Sequence, residues 1–133
     1  MKKERNGFEA IAKAMASDDK LRANAKEFIS LTQVYGAAIK RITTKLEILD
    51  EEFHIKYDHN PIHHIESRLK SIQSIYAKLK KKNLPLEIET IKNNIYDIAG
   101  VRVICNYVDD IYRVYELLIK QSDITLIRVK DYV

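Results

Sequence analysis

A chain of 133 residues, 46% of them apolar and 32% charged, is long enough for one domain with its own core. No apolar run approaches the roughly 18 residues of a membrane span, and the N-terminal stretch MKKERNGFEAIAKAMASDDK lacks the continuous apolar centre of a secretory signal, so the expected location is the cytoplasm. The net charge is +4, and the single cysteine, Cys105, lies inside an apolar run, as a small core residue in a reducing compartment does.

Two helical regions come first. Phe8, Ile11, Ala12 and Met15 follow the i, i+3, i+4, i+7 spacing of one helical face. Phe28, Leu31, Tyr35, Ile39, Ile42, Leu46, Leu49 and Phe53 then form a sustained apolar stripe, with Gly36 as its weak link. Such a stripe packs on the domain or on another subunit. The region 1–58 is therefore read as an N-terminal helical part, and 59–133 as the part that carries chemistry.

YDHNPIHH breaks the helix, because Asn-Pro is a turn signal and a residue before proline avoids helical geometry. His54, His59, His63 and His64 cluster here without cysteine or HExxH-type spacing, which favours a solvated loop over zinc. In HIESRLKSIQSIYAKLKKKN the alternation from His64 to Lys70 suits a strand, with Ile65, Ser67 and Leu69 on one face and Arg68 and Lys70 on the other. From Ile72 the period becomes helical, through Ile75, Tyr76 and Leu79, with Ser71 as the expected N-cap. A single helix from Pro61 is the less favoured alternative.

NLPLEIETIKNNIY reads as a helix with Pro85 near its first turn and Leu86, Ile91 and Ile95 inward. A strand is expected over Ile98 to Asn106. The next helix takes Asp109 as its cap and Ile111, Val114, Tyr115 and Leu118 as its core face; Asp109 and Asp110 are read as cap residues before metal ligands. ITLIRVKDYV is expected to be a second strand, completing a βαβ unit if the strands are parallel. The whole predicts an α+β fold, a mixed β-sheet flanked by helices.

The positive charge is concentrated, since Arg68, Lys70, Lys78, Lys80, Lys81 and Lys82 fall within fifteen residues. Such clustering suits phosphate, although Lys80 to Lys82 read more simply as a solvated helix end that complements the dipole. Arg68 and Lys70 would leave a strand beside a helix N-terminus, where free backbone N–H groups attract anions, and Ser74 and Lys78, four apart, extend that surface along one side of the helix. With only Gly7, Gly36 and Gly100, the chain has neither a P-loop nor a dinucleotide fingerprint. Asp97 is the candidate Mg²⁺ ligand, because this ion commonly takes one or two carboxylates together with phosphate oxygens. Arg102 interrupts an apolar strand. It serves either to stack on a base or grip phosphate, or to form a salt bridge with an aspartate at a sheet edge, and spacing alone favours the salt bridge. Asp97 and Arg102 have opposite strand parity, so Asp97 must precede the regular pleat or a bulge at Gly100 must realign it.

HIESRLKSIQSIYAKLKKKN, YDIAGVRVICNYVDDIYRVYELL and KDYV together resemble the synthetase domain of the RelA/SpoT family, the GTP pyrophosphokinases that make ppGpp and pppGpp. The likeness runs from about Asn60 to Val133, and the lack of a hydrolase region ahead of the motifs is similar to the small alarmone synthetases. The resemblance implies a nucleotidyltransferase-like fold and transfer of the ATP β,γ-pyrophosphate to the 3′-OH of GTP or GDP with Mg²⁺. It also implies that Arg68 and Arg102 sandwich the adenine and that Lys70, Ser74 and Lys78 hold the ATP phosphates. By the same resemblance Asp97 is expected to bind Mg²⁺ and to be the catalytic acidic residue, Lys130 to match a basic position near the nucleotides, and the protein to form homo-oligomers. The family continues past KDYV into a loop whose tyrosine stacks on the acceptor guanine, and then into a strand bearing a glutamate. The expectation is therefore that residues 1–133 carry the ATP-donor part, lack the C-terminal part of the sheet, and are inactive alone. The competing reading is a basic nucleic-acid-binding or oligomerisation module without catalysis; stacking aromatics interleaved with Lys78 to Lys82 are missing, which weighs against nucleic acid.

Overall fold

A computed structural model describes residues 19–133, with side chains from residue 26 onward. The apolar face of Phe8, Ile11, Ala12 and Met15 lies outside the described residues. The described elements run α1 (Asp19–Tyr57), β1 (Ile62–Leu69), α2 (Ile72–Lys81), α3 (Ile88–Asn94), β2 (Ala99–Cys105) and α4 (Val108–Ile119). The class is α+β, and the sheet within the described residues consists of β1 paired with β2. The strands are antiparallel: the Lys70 N–H donates to the Ile98 carbonyl at one end, and the Asn106 N–H to the Pro61 carbonyl at the other.

The chain divides into two compact units, Arg68–Gly100 with the part of α1 up to Ala38, and Ile39–Ser67 with Val101–Val133. The first unit is built on Phe28 from α1, Ile75 and Leu79 from α2, and Ile91, Ile95 and Ile98, all buried, with Leu31, Tyr35, Ile72, Tyr76, Leu84, Leu86 and Ile88 packed around them. The spacing Ile72, Ile75, Tyr76, Leu79 places one stripe of α2 inward, as its periodicity predicts. Ser71 caps this helix from an extended conformation, its Oγ accepting from the Ser74 N–H at 3.1 Å. At the other end Asn83 adopts φ 55°, the Asn83 N–H donates to the Lys80 carbonyl, and the Leu84 N–H donates to the Leu79 carbonyl. This doubly bonded C-terminal cap turns Leu84 back onto Leu79. It leaves Lys80, Lys81 and Lys82 exposed at the helix end, the solvated arrangement expected of them.

The helix expected from Pro85 is shorter, beginning only at Ile88. Leu84 and Leu86 both pack on the core from the connection that precedes it. Residues two apart share a side in extended chain but fall on opposite sides of a helix, so the core selects the extended form.

The second unit buries Leu46 from α1, Ile62 from β1 and Val114 from α4, with Ile42, Ile65, Val101, Val103, Cys105 and Leu118 around them. Strand β2 alternates regularly, Val101, Val103 and Cys105 turned inward and Gly100, Arg102 and Ile104 outward. Helix α1 ends where the Asn-Pro signal predicts: Asp58 takes φ 53°, its N–H donates to the His54 carbonyl at 2.8 Å, and Pro61 follows. Asp50 ties this turn down, accepting from the Ile62 N–H at 3.0 Å and the Asn60 side-chain amide at 3.1 Å. Lys45 donates to Gln121 at 2.7 Å and pairs with Asp123, which holds the segment after α4 against α1.

Three expectations for this unit are corrected. Tyr107 occupies the N-cap of α4 with no side-chain cap bond, and Asp109, expected there, lies exposed in the first turn, where its charge still favours the helix dipole. Ile111 is exposed, and Asp110 takes an inward position instead. The segment 124–133 forms no strand, and its apolar residues Leu126, Ile127 and Val129 remain exposed. A strand exists only through ladder bonds to a neighbour, and this segment has none among the described residues, so the expected βαβ unit is not formed.

Candidate active site

Where β1 gives way to α2, the chain assembles a cluster of charge within the first unit. The Lys70 N–H donates to the Ile98 carbonyl at 2.6 Å, and Ile98 is buried in the core, so the backbone of residue 70 is fastened beside the segment that carries Asp97. Lys70 Nζ reaches one Asp97 carboxylate oxygen at 3.1 Å. Lys78, two turns into α2, reaches the other oxygen at 3.0 Å. Hydrogen bonds from Lys78 first and Lys70 second pull the Asp97 carboxyl down to about 2, far below its ordinary range. The acid is thus an anion at any physiological pH.

Ser74 lies in the first turn of α2, between these lysines in sequence. Its hydroxyl accepts a hydrogen bond from Ser71 at 2.9 Å and keeps one proton of its own to donate. The helix N-terminus, the Ser74 hydroxyl and the two ammonium groups belong to one stretch of nine residues, 70–78, and Asp97 is brought to it only by the fold.

Arg68 is exposed near the end of β1, and its guanidinium is in no ion pair among the described residues. Arg102 and Lys130 belong to the second unit. Arg102 stands on the outward face of β2 with Gly100 and Ile104, and it too has no ion pair among the described residues. The expected salt bridge from Arg102 to an aspartate is therefore not formed. The physical reason is solvation: on the outward face the guanidinium keeps its water and needs no counter-ion. Lys130 is exposed in the irregular segment 124–133. The parity difficulty also resolves, because β2 begins at Ala99 and Asp97 precedes the pleat.

Asp97 fits a divalent cation as a single carboxylate ligand. A carboxylate offers about four lone-pair sites; the lysines take one on each oxygen, the side chain is 58% exposed, and the group is ionised. No group of three or more His, Cys, Asp or Glu residues suited to a metal occurs among the described residues, so the remaining ligands of such an ion would come from phosphate and water.

One acid read from the sequence as a helix cap has a different place in the structure. Asp110 is only 1% exposed, and its Oδ2 lies 3.0 Å from His59 Nε2, with Arg113 Nη1 3.9 Å from its other oxygen. His59 also packs its ring against Phe53 and Tyr107. It lines a cavity of about 380 Å³ with His54, Asp58, Asn60, Asn106 and Tyr107. The four histidines therefore do not form one solvated loop: His54 is in α1, His63 and His64 are exposed on β1, and His59 is paired with a buried acid. Cys105 is half-buried; burial first, and the charges of Asp110 and Asp50 after it, push its thiol up and away from nucleophilic reactivity. No helix among the described residues is long and apolar enough to cross a membrane.

Residues 67–133 match a family model described as a region found in RelA / SpoT proteins. The chain is 37% identical over 115 residues to the GTP pyrophosphokinase YwaC of Bacillus subtilis, covering 86% of this chain and 55% of that protein. It is 37% identical over 100 residues to YjbM of the same organism, covering 74% of this chain and 46% of the relative. The chain thus spans about half the length of the curated relatives it matches. Among solved structures it is similar to the small alarmone synthetase 1 of Bacillus subtilis bound to its product pppGpp, with TM-score 0.68 and 33% identity over 80% of this chain and 54% of that one. It is also similar to the same enzyme bound to AMPCPP, with TM-score 0.65 and 32% identity over 77% of this chain and 55% of that one.

Proposed function

This chain belongs to the RelA/SpoT family, and from that premise we propose that it supplies the donor side of an alarmone synthetase, which transfers the β,γ-pyrophosphate of ATP to the ribose 3′-OH of GTP or GDP. In that reading Lys70 and Lys78 bind polyphosphate oxygens, and the Ser74 hydroxyl donates to another beside the N-terminus of α2. On the family resemblance, Arg68 and Arg102 are assigned to the adenine, where a planar guanidinium stacks well, and Lys130 to a basic position near the nucleotides. Asp97 would hold Mg²⁺, which when bound neutralises charge on the polyphosphate.

The transfer forms a bond from the acceptor 3′-oxygen to the β-phosphorus and breaks the bond from that phosphorus to the α,β-bridging oxygen, which leaves on AMP. The hydroxyl proton passes to a base that is not among the residues assigned here. Such a reaction depends on positioning and charge neutralisation more than on covalent help, which is what a lysine pair, a hydroxyl and a helix N-terminus provide. The observation that carries the reading is the Lys70–Asp97–Lys78 cluster at the start of α2, in a chain whose relatives are named GTP pyrophosphokinases. Homo-oligomer formation and action in the cytoplasm belong to the same proposal, on the family resemblance.

The test is calorimetric titration of the 133-residue chain with a non-hydrolysable ATP analogue and Mg²⁺. Wild-type chain is expected to bind, Lys78→Ala to weaken binding about tenfold or more through the loss of a charge-assisted contact, and Arg102→Ala to weaken it through lost stacking. The same sample supplied with ATP and GTP is expected to make no pppGpp, since the acceptor-contacting loop and glutamate of the family are not within residues 1–133. Failure of the wild-type chain to bind the analogue would sink the donor assignment, and pppGpp formation would sink the expectation of inactivity.

A further inference from the structure

Two ammonium groups in the first unit share a single carboxylate, one on each oxygen, at 3.0 and 3.1 Å. The Lys70 side chain is 12% exposed and that of Lys78 34%, and both cations face the same anion. Among the described residues neither has another ion-pair partner. Left without the carboxylate, two like charges this close would repel each other. Asp97 is therefore the anion that keeps the pair together.

Each ammonium gives Asp97 one of its three protons, so a polyphosphate at Lys70 and Lys78 meets cations whose charge is already partly neutralised. It must also bring its negative charge up to an ionised carboxylate. A polyphosphate that arrives with a divalent cation faces neither obstacle in full, because the cation neutralises Asp97 and frees the lysines to turn to the phosphates.

From this geometry we infer that Asp97 is an internal counter-anion that makes the donor site selective for cation-complexed polyphosphate over the free anion. The inference rests on the donor reading above and goes beyond it: the role of Asp97 as a metal ligand does not require the acid to hold the lysines when no metal is present. Position 97 suits the task because it does not hold up the fold. The backbone bond between Lys70 and Ile98 and the buried Ile98 side chain fasten this corner, and the Asp97 side chain is 58% exposed. Removing the charge should leave the backbone of this corner in place and both ammonium groups unclaimed. An exposed or half-exposed ion pair is worth up to about fivefold in an equilibrium, so loss of both pairs allows about a tenfold gain.

The probe is inorganic tripolyphosphate, titrated calorimetrically into the wild-type chain and Asp97→Asn at one ionic strength, first in EDTA and then in excess Mg²⁺. Wild-type chain is expected to bind the Mg²⁺ complex at least tenfold more tightly than the free anion. Asp97→Asn is expected to bind free tripolyphosphate about tenfold more tightly than wild type does, and to gain little from Mg²⁺. Asp97→Ser carries the same expectation and stands in if the asparagine variant loses its native circular dichroism. Equal or weaker binding of the free anion by both variants, with the wild-type chain still binding the Mg²⁺ complex, would overturn the counter-anion role and leave the donor site standing. Tripolyphosphate bound by no protein under either condition would overturn both.

Discussion

Replacing Asp110 by alanine tests the least expected charge in the protein. The carboxylate is 1% exposed, lies 3.0 Å from His59 Nε2 and 3.9 Å from Arg113 Nη1, and falls in the first turn of α4. Three contributions are removed together. A hydrogen bond to an ionised group is worth about 1.5–3 kcal/mol. An acid at a helix N-terminus adds about 0.3–1 kcal/mol. The 3.9 Å contact to the half-exposed Arg113 adds only a few tenths, roughly as surface pairs do. Against these stands the relief of returning a desolvated anion to water on unfolding, which is no longer required of the variant. The net expectation is a loss of about 2 kcal/mol for Asp110→Ala and about 1 kcal/mol for Asp110→Asn, which keeps the volume and an acceptor oxygen. The assay is urea unfolding followed by circular dichroism; with a slope of about 1–3 kcal/mol/M, the alanine variant moves the midpoint down by roughly 1 M. A cycle with His59→Ala should show about 1 kcal/mol or more of coupling. The thiol of Cys105 gives an independent readout, because Asp110 is one of the charges that, after burial, push it up; the alanine variant should react faster with a thiol reagent. A midpoint within 0.2 M of wild type, or additive effects of the two substitutions, would refute the claim that this pair supports the second unit.

Two further outcomes are expected. Ser71→Ala removes the side chain that accepts from the Ser74 N–H, and should cost about 1 kcal/mol in thermal or urea unfolding; an unchanged midpoint would show that the cap is not formed in solution. Asp97, held at about 2 by Lys78 and Lys70, has a folded value below its unfolded one, so its contribution to stability is complete above about pH 4 and is lost as the pH falls toward 2. Because the side chain is 58% exposed, that contribution is at most about 1 kcal/mol, and the stability gap between wild type and Asp97→Asn should stay level from pH 5 to 8 and close on acidification. A gap that widens below pH 4 would contradict the ion pairs.

Several features were readable without any tertiary information because their causes are local. The period of three and four from Phe28 to Phe53 requires one apolar helical face, and α1 has it. The change of period at Ser71, together with a hydroxyl suited to a cap, separates β1 from α2. The basic groups Lys70 and Lys78 lie within one turn-and-helix segment, so chain geometry keeps them in one neighbourhood. Other features turned on partners far along the chain. Asp109 and Asp110 are adjacent acids with the same propensity for a helix start, and only the position of His59, 51 residues earlier, distinguishes the exposed one from the buried one. The apolar segment 124–133 has the composition of a strand, but composition cannot supply the neighbour that a ladder needs.

Local spacing by itself thus determined the long helix through Phe28 to Phe53, the helix that starts after Ser71, and which acid was the candidate to join the basic residues there. Only the tertiary structure decided that Asp97 pairs with both lysines, that Arg102 stands on an outward strand face with no ion pair among the described residues, and that Asp110 is the acid taken out of water. The reason is that periodicity and capping act over a few residues, whereas the solvation and pairing of a charge depend on what the fold places beside it. Lys70 and Asp97, 27 residues apart, meet only because a backbone bond and a buried isoleucine bring their segments together.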